Sequence, residues 1–198
     1  MYESRRLPPE ERKRRAEERI RRGYPAHAPP HPVRGAQHYL ITAACYEHRE
    51  HMTTADRRYQ LLAQWTEEGR HRGLEIAAWV VLPNHYHLLI RVDDFEQVGV
   101  ITRLVHGRTS RNWNGADGSP GRKVWYRYTD RAIRSERHYY TTLNYIHYNP
   151  VKHGLVESPY DWEPSSVGWY LEQYGREWLR DLWSRYPLQS YGEGWDGL

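Results

Sequence analysis

One antiparallel sheet with helices packed against it, an α+β domain, is the fold that this 198-residue sequence predicts. Two observations carry that expectation. Short β-rich runs alternate with longer stretches of helical periodicity. Two of the runs, 74–82 and 85–92, are separated only by Pro83-Asn84, a turn signal, so they form a hairpin and therefore an antiparallel pair.

The elements follow in order. Pro8-Pro9-Glu10-Glu11 and then KRRAEERIRRG read as a short helix, with proline and acid at its start and Arg21, Arg22 and Gly23 at its end. YPAHAPPHPVRG is proline-dense and reads as an extended linker. Residues 1–35 are thus an arm and linker, and the domain is expected to begin near Ala36. His38–Tyr46 (HYLITAACY) is the first strand. Thr53-Thr54-Ala55-Asp56 caps a helix to about Arg72, with Tyr59, Leu62, Trp65 and Glu67 along one face and Gly73 as its stop. Leu74–Leu82 and His85–Val92 are the second and third strands. Phe95–Trp113 is helical, with Val98, Ile101, Leu104 and Val105 as its apolar stripe. Asn114–Gly121 is a loop and Val124–Arg134 the fourth strand. Ser135 caps a helix expected to end by Asn149, before Pro150. The order β-α-β-β-α-β, then another helix, is the split-βαβ, ferredoxin-like order. It implies no function by itself. Beyond 157 the chain is tryptophan-rich. Val167, Tyr170, Leu171, Tyr174, Trp178 and Leu182 recur at helical spacing, which predicts that 158–198 packs onto the domain at 36–157.

Composition narrows the function. A single cysteine, Cys45, excludes an intrachain disulfide and a cysteine-based zinc cluster. No apolar run approaches a membrane span, and the basic N-terminus lacks the apolar segment of a secretory signal, so a cytoplasmic protein is expected. The net charge of +4 is uneven. Residues 1–22 hold nine basic and five acidic residues, and the other 176 balance at 20 and 20. A basic arm suits a polyanion such as nucleic acid, and a solvated, partly helical tail fits the same composition.

Within VVLPNHYHLLIRV, His85 and His87 leave the same face of a strand. Two such imidazoles are two-thirds of a metal site. With 12 histidines in the chain, a packed, hydrogen-bonded pair fits them too. The helix SERHYYTTLNYIHYN supplies a second constellation. At about 100° per residue, Tyr139, Leu143 and Ile146 form the core stripe. His138, Thr142, Tyr145 and Asn149 form a second strip, and Tyr148 points nearly opposite the core. Tyr145 and Asn149, four apart, are neighbours. Packed on the sheet, this helix aims one phenol and one amide oxygen at the same place. Asn149 is then a third ligand to a metal on His85 and His87, with Tyr145 beside it. A phenol is a poor nucleophile near neutral pH without help. A divalent ion helps by polarising a phosphate oxygen. Two imidazoles and an amide oxygen suit Mg²⁺ or Mn²⁺, and imidazoles also accept zinc.

These residues resemble those of the REP-associated tyrosine transposases, a branch of the HUH single-strand DNA transposases and nucleases. The resemblance rests on His85-Tyr86-His87 within WVVLPNHYHLLI and on YIHYNPVKHGLV from Tyr145. VWYRYTDRAIRS between them and Asp161-Trp162 with Ser165-Ser166 after them also match. The resemblance implies a ferredoxin-like catalytic domain, Tyr145 as nucleophile, and His85, His87 and Asn149 as metal ligands. It implies a single-stranded DNA substrate, often a hairpin-forming repetitive extragenic palindrome (REP). It implies cleavage to a 5′-phosphotyrosine and a free 3′-OH. A monomer with its site in cis is favoured over a homodimer. The arginine-rich arm and proline linker depart from a minimal member. Arg103, Arg108 and Arg111 along the second helix fit a DNA path, as do Arg122, Lys123, Arg127, Arg131, Arg134 and Arg137 around the fourth strand, and Lys152. Near Asp130 and Glu136, ordinary surface ion pairing is the alternative. A metal-dependent DNA nickase and strand-transferase is expected. The alternatives are a hairpin-binding relative that does not cut, and a zinc hydrolase on His85 and His87, for which HExxH is missing.

Overall fold

The computed structural model describes residues 37–193 and Trp195, together with Pro8, Glu10, Glu11, Arg14 and Glu17. Those last four are helical. The rest of the arm helix, the proline linker and Ala36 lie outside the described residues. The domain runs β1 (His38–Ala44), α1 (Ala55–His71), β2 (Leu74–Val81), β3 (His85–Val92), α2 (Glu96–Ala116), β4 (Thr129–Ala132), α3 (Glu136–Lys152) and α4 (Val167–Arg185). The sheet order is β2-β3-β1-β4, antiparallel throughout, so the fold is the expected α+β, ferredoxin-like one.

The sheet divides the core into two layers. Ile41 and Ala43 of β1 and Tyr86, Leu88 and Ile90 of β3 face α1 and α2, meeting Leu61, Trp65, Val98, Ile101 and Val105. Alternate residues, Leu40 of β1 and Leu89 of β3, face the other way with Ala78 and Val80 of β2. They meet Leu143 and Ile146 of α3 and Val167, Leu179 and Leu182 of α4. Strand β3 is therefore buried on both faces, as a central strand with helices above and below must be. The strand's alternation puts His85 and His87 on the α3 face.

Four elements differ from expectation. On α1 the buried stripe is Arg58, Leu61, Trp65 and Glu68, one residue away from the expected Tyr59, Leu62 and Glu67. Tyr59 is exposed. The reason is that two charged residues are buried with partners. The Arg58 guanidinium donates to the carbonyls of Met52 (3.0 Å), Thr53 (2.8 Å) and Glu163 (3.3 Å). Glu68 accepts from Arg108 at 2.6 Å. Helix α2 runs on to Ala116, three residues into the expected loop. Strand β4 is four residues long, because 124–134 pairs with β1 in two pieces. Thr42 faces Thr129, whereas Cys45 bridges Trp125, a one-residue change of register. Helix α3 continues through Pro150 to Lys152. A proline in the last turn forfeits one backbone bond, and the turn is closed by His153 N–H to Asn149 O (3.1 Å) before Gly154 (φ 66°) ends it. Tyr148 is half-buried; its ring packs on Trp183 of α4, 4.8 Å away.

His147 lies fully buried on α3, beside Tyr170 of α4 and with Nε2 3.2 Å from Ser166 Oγ. Burial pushes its pKa from 6.5 down to about 3. The unfolded chain takes up this proton below about pH 6.5 and the folded chain only near pH 3. Stability is thus full above pH 6.5 and falls as the pH drops towards 3. By pH 5 the loss from this residue is roughly 2 kcal/mol. Urea midpoints at pH 7.5 and pH 5 check this, with the difference expected to shrink in His147→Gln.

Candidate functional site

The site grows from the N-terminal end of β3. Each histidine is anchored through Nδ1. Thr42 stands directly opposite His87 in the β1–β3 register, and its Oγ1 lies 2.7 Å from His87 Nδ1. Asn84 Oδ1 lies 2.7 Å from His85 Nδ1. That oxygen only accepts, so His85 Nδ1 donates to it. Asn84 is itself fixed. Its backbone carbonyl accepts from Cys45 N–H (2.7 Å) and its amide donates to His48 O (3.4 Å). The two Nε2 atoms therefore face α3. His85 Nε2 lies 3.3 Å from Asn149 Oδ1, and His87 Nε2 lies 3.3 Å from the Tyr145 hydroxyl. The four residues come from segments about sixty positions apart and are all buried.

Two imidazole nitrogens and one amide oxygen converge, with each outer ring nitrogen hydrogen-bonded. That is how metal-ligating histidines are held. His85 Nε2 and Asn149 Oδ1 stand 3.3 Å apart, two atoms of kinds that ligate a divalent ion. No group of three or more His, Cys, Asp or Glu that could hold a metal occurs among the described residues, and what stands beside the two imidazoles is an amide oxygen. The arrangement fits a divalent ion with open positions.

Tyr145 has no exposed surface. The segment after α4 lies across it. Tyr191 and Trp195 stand 5.7 and 5.6 Å from its ring. At Gly192 (φ 86°) a Cβ would come within 2.2 Å of the Tyr145 ring, so only glycine fits there. Three bonds tie the segment down. Tyr191 Oη meets Thr142 Oγ1 (2.5 Å) and His138 Nε2 (3.1 Å), and Lys152 Nζ donates to Gly192 O (2.9 Å). The Arg131 guanidinium stacks 3.7 Å over the Trp195 ring. The α3 strip of His138, Thr142, Tyr145 and Asn149 is thus shared between the histidine pair and this C-terminal segment.

The basic residues divide. Arg131 and Lys152 lie at the site and hold the tail. Lys123 lies over Tyr46, and Arg122 binds Asn114 Oδ1 and Asp117. Arg127, Arg134 and Arg137 are exposed beside β4 and the start of α3. Arg103, Arg108 and Arg111 belong to α2, across the sheet from the histidine pair, and Arg108 pairs with Glu68. The fold does not bring those three to the site.

Comparison with known proteins bears on the whole arrangement. No family model matches the chain. A REP-associated tyrosine transposase of Escherichia coli K12 is 33% identical over 153 residues, covering 70% of this chain and 80% of that protein. The chain belongs to the REP-associated tyrosine transposases. A second relative, from Haemophilus influenzae, is 32% identical over 107 residues, 48% of this chain and 60% of its own. A solved REP-associated tyrosine transposase bound to a REP hairpin superposes with a TM-score of 0.56 at 26% identity, over 73% of this chain and 87% of that one. Among the described residues no helix is long and apolar enough to cross a membrane.

Within this family member, sequence reasoning missed Thr42, Asn84, Tyr191, Gly192 and Trp195. Asn84 carried a signal, since it precedes His85, but it was legible only as a turn former. Thr42 carried none, because its role depends on strand register.

Proposed function

We propose that this transposase nicks and rejoins single-stranded or hairpin DNA of REP type through a 5′-phosphotyrosine on Tyr145. The convergence of His85 Nε2, His87 Nε2 and Asn149 Oδ1 beside the Tyr145 hydroxyl carries the reading. His85, His87 and Asn149 would hold Mg²⁺ or Mn²⁺, which would polarise a phosphate oxygen and take up charge in the transition state. Tyr145 Oη attacks phosphorus as the bond to the 3′ oxygen breaks. The tyrosine keeps the 5′ side, and the freed 3′-OH can reverse the step. Thr42 and Asn84 hold the imidazoles in place, so no reorganisation is needed at the moment of reaction. Arg131, Arg134, Lys123 and Lys152 would meet DNA phosphates, Arg131 and Lys152 once the tail they hold has lifted. Tyr145 meets the histidines of its own chain, which supports a monomer acting in cis.

The burial of Tyr145 favours a second reading, a hairpin-binding protein whose cutting site stays closed. One experiment separates the two. A labelled REP-type hairpin with single-stranded flanks is incubated with the protein and Mg²⁺ or Mn²⁺, then run in detergent. A covalent adduct abolished by chelation supports cutting. Hairpin retention with no adduct under any divalent ion supports binding alone.

The tail makes a further expectation. A phosphodiester reaches Tyr145 only when the segment that carries Tyr191, Gly192 and Trp195 lifts. The tail's cation–π contact and hydrogen bonds together set that equilibrium at a few kcal/mol. The combined variant Tyr191→Ala with Trp195→Ala is therefore expected to raise the rate of adduct formation by about tenfold or more, read from single-turnover time courses.

A further inference from the structure

The last residue of β1 is flanked on both sides. Ala44 stands opposite His85 of β3. On its other side Cys45 bridges Trp125, so Ala44 faces Tyr126, whose N–H donates to Ala44 O at 2.9 Å. Residues opposite one another in antiparallel pairing leave the same face. His85, Ala44 and Tyr126 therefore form one row across the sheet. With strands about 4.8 Å apart, the backbone of Tyr126 lies roughly 10 Å from that of His85. Trp125 turns the opposite way, into the core against Tyr86 and Trp113.

A second tyrosine joins this end of the row. Tyr46 N–H donates to Val124 O at 2.7 Å, and its ring centroid lies 6.5 Å from that of Tyr126, at 33°. Lys123 Nζ sits 4.2 Å from the centre of the Tyr46 ring and 5.8 Å from that of Tyr126. Both rings are half-buried and Lys123 is exposed. The chain turns sharply just after Tyr46, with Glu47 and His48 at φ 56° and 53°. That turn presents His48 O to the Asn84 amide. One strained turn thus fixes both this aromatic pair and the residue that orients His85.

We propose that Tyr46, Tyr126 and Lys123 form the seat of a nucleobase flanking the scissile phosphate, with the lysine ammonium on that nucleotide's phosphate. The proposal rests on the reading of His85, His87 and Tyr145 as a DNA-cutting site. Aromatic faces accept any base by stacking, so the seat grips single strand without reading sequence. Backbone bonds on both sides hold the two rings, so little order is lost on binding. The cation stands where a strand passing over the rings carries its charge. At 3.4 Å per stacked nucleotide, a strand reaching from the histidine pair to the seat spans about one to three nucleotides.

The test uses the full chain and the REP-type hairpin, with 5-iodouracil placed singly at each position of its single-stranded flank. After irradiation, crosslinked peptides are sequenced. The seat predicts a crosslink on Tyr46 or Tyr126 from a position within about three nucleotides of the cut. It also predicts that Tyr46→Ala or Tyr126→Ala weakens flank binding roughly 5- to 150-fold, whereas Tyr46→Phe and Tyr126→Phe bind as the native protein. Lys123→Ala should lower the salt slope of binding by about 0.7. Should an alanine variant fail to fold, the crosslink and the salt slope still decide. Adduct formation is measured in the same samples. Crosslinks at the seat without an adduct sink the cutting reading, and leave Tyr46 and Tyr126 as a base-stacking site with no scissile phosphate beside it. An adduct with crosslinks elsewhere and an unchanged salt slope overturns the seat alone.

Discussion

Tyr145→Phe is expected to remove the covalent DNA adduct, lowering its rate of formation by at least about a thousandfold, as loss of a covalent nucleophile does elsewhere. The substitution deletes one oxygen. The ring keeps its contacts with His87, Tyr191 and Trp195, so the local packing stands. One long hydrogen bond to His87 is lost, worth about 1 kcal/mol at most. Hairpin affinity should accordingly stay within about twofold of native, because nothing removed contacts a phosphate before the attack. Gel-shift binding and detergent-resistant adduct, measured on one preparation, read the two quantities separately. The nearest other phenols are poorly placed. Tyr148 points to Trp183, and Tyr191 is bonded to Thr142 and His138.

His87→Ala is the second large effect. It removes one of the two imidazole donors and leaves Thr42 Oγ1 and the Tyr145 hydroxyl without their histidine partner in a buried site. The rate of adduct formation should drop by at least about a hundredfold, the upper end of what outer partners alone cost. Loss of Mn²⁺ binding, followed by the spectrum of the free ion in titrations, should accompany it, and that readout needs no DNA. Thr42→Val is the graded companion. It keeps the shape and takes away only the hydroxyl on His87 Nδ1, so Mn²⁺ affinity should weaken by about 10- to 100-fold. A Thr42→Val protein that binds Mn²⁺ as tightly as native would show that strand packing alone orients His87.

Much of this was legible in residues 85–149. Strand alternation put His85 and His87 on one side. Helical spacing put Tyr145 and Asn149 on a common strip, and the fold brings both pairs together. Of the expected α2 stripe, Val98, Ile101 and Val105 are fully buried and Leu104 is half-buried. On α1 hydropathy found Trp65, which is fully buried, and missed the rest of the stripe by one residue, because Arg58 and Glu68 are buried against carbonyls and arginines that periodicity does not see. Pro150 was read as a stop because interior proline breaks helices, yet in a last turn it forfeits a single bond. The contribution of Thr42 depends on register, which is settled by which strands pair and not by local composition. The tail was the least legible part. Tyr191, Gly192 and Trp195 lie beyond the last helical pattern, and their place over Tyr145 follows only once α4 has turned the chain back.

The most direct measurement is the identity of the residue that carries DNA. Native protein is incubated with the flanked hairpin and Mn²⁺, the adduct is trimmed with nuclease and protease, and the modified peptide is sequenced by mass spectrometry. The phosphonucleotide mass is expected on Tyr145, joined through a 5′ phosphate. The same mass on Tyr148 or Tyr191, or a 3′ linkage on Tyr145, would contradict the account.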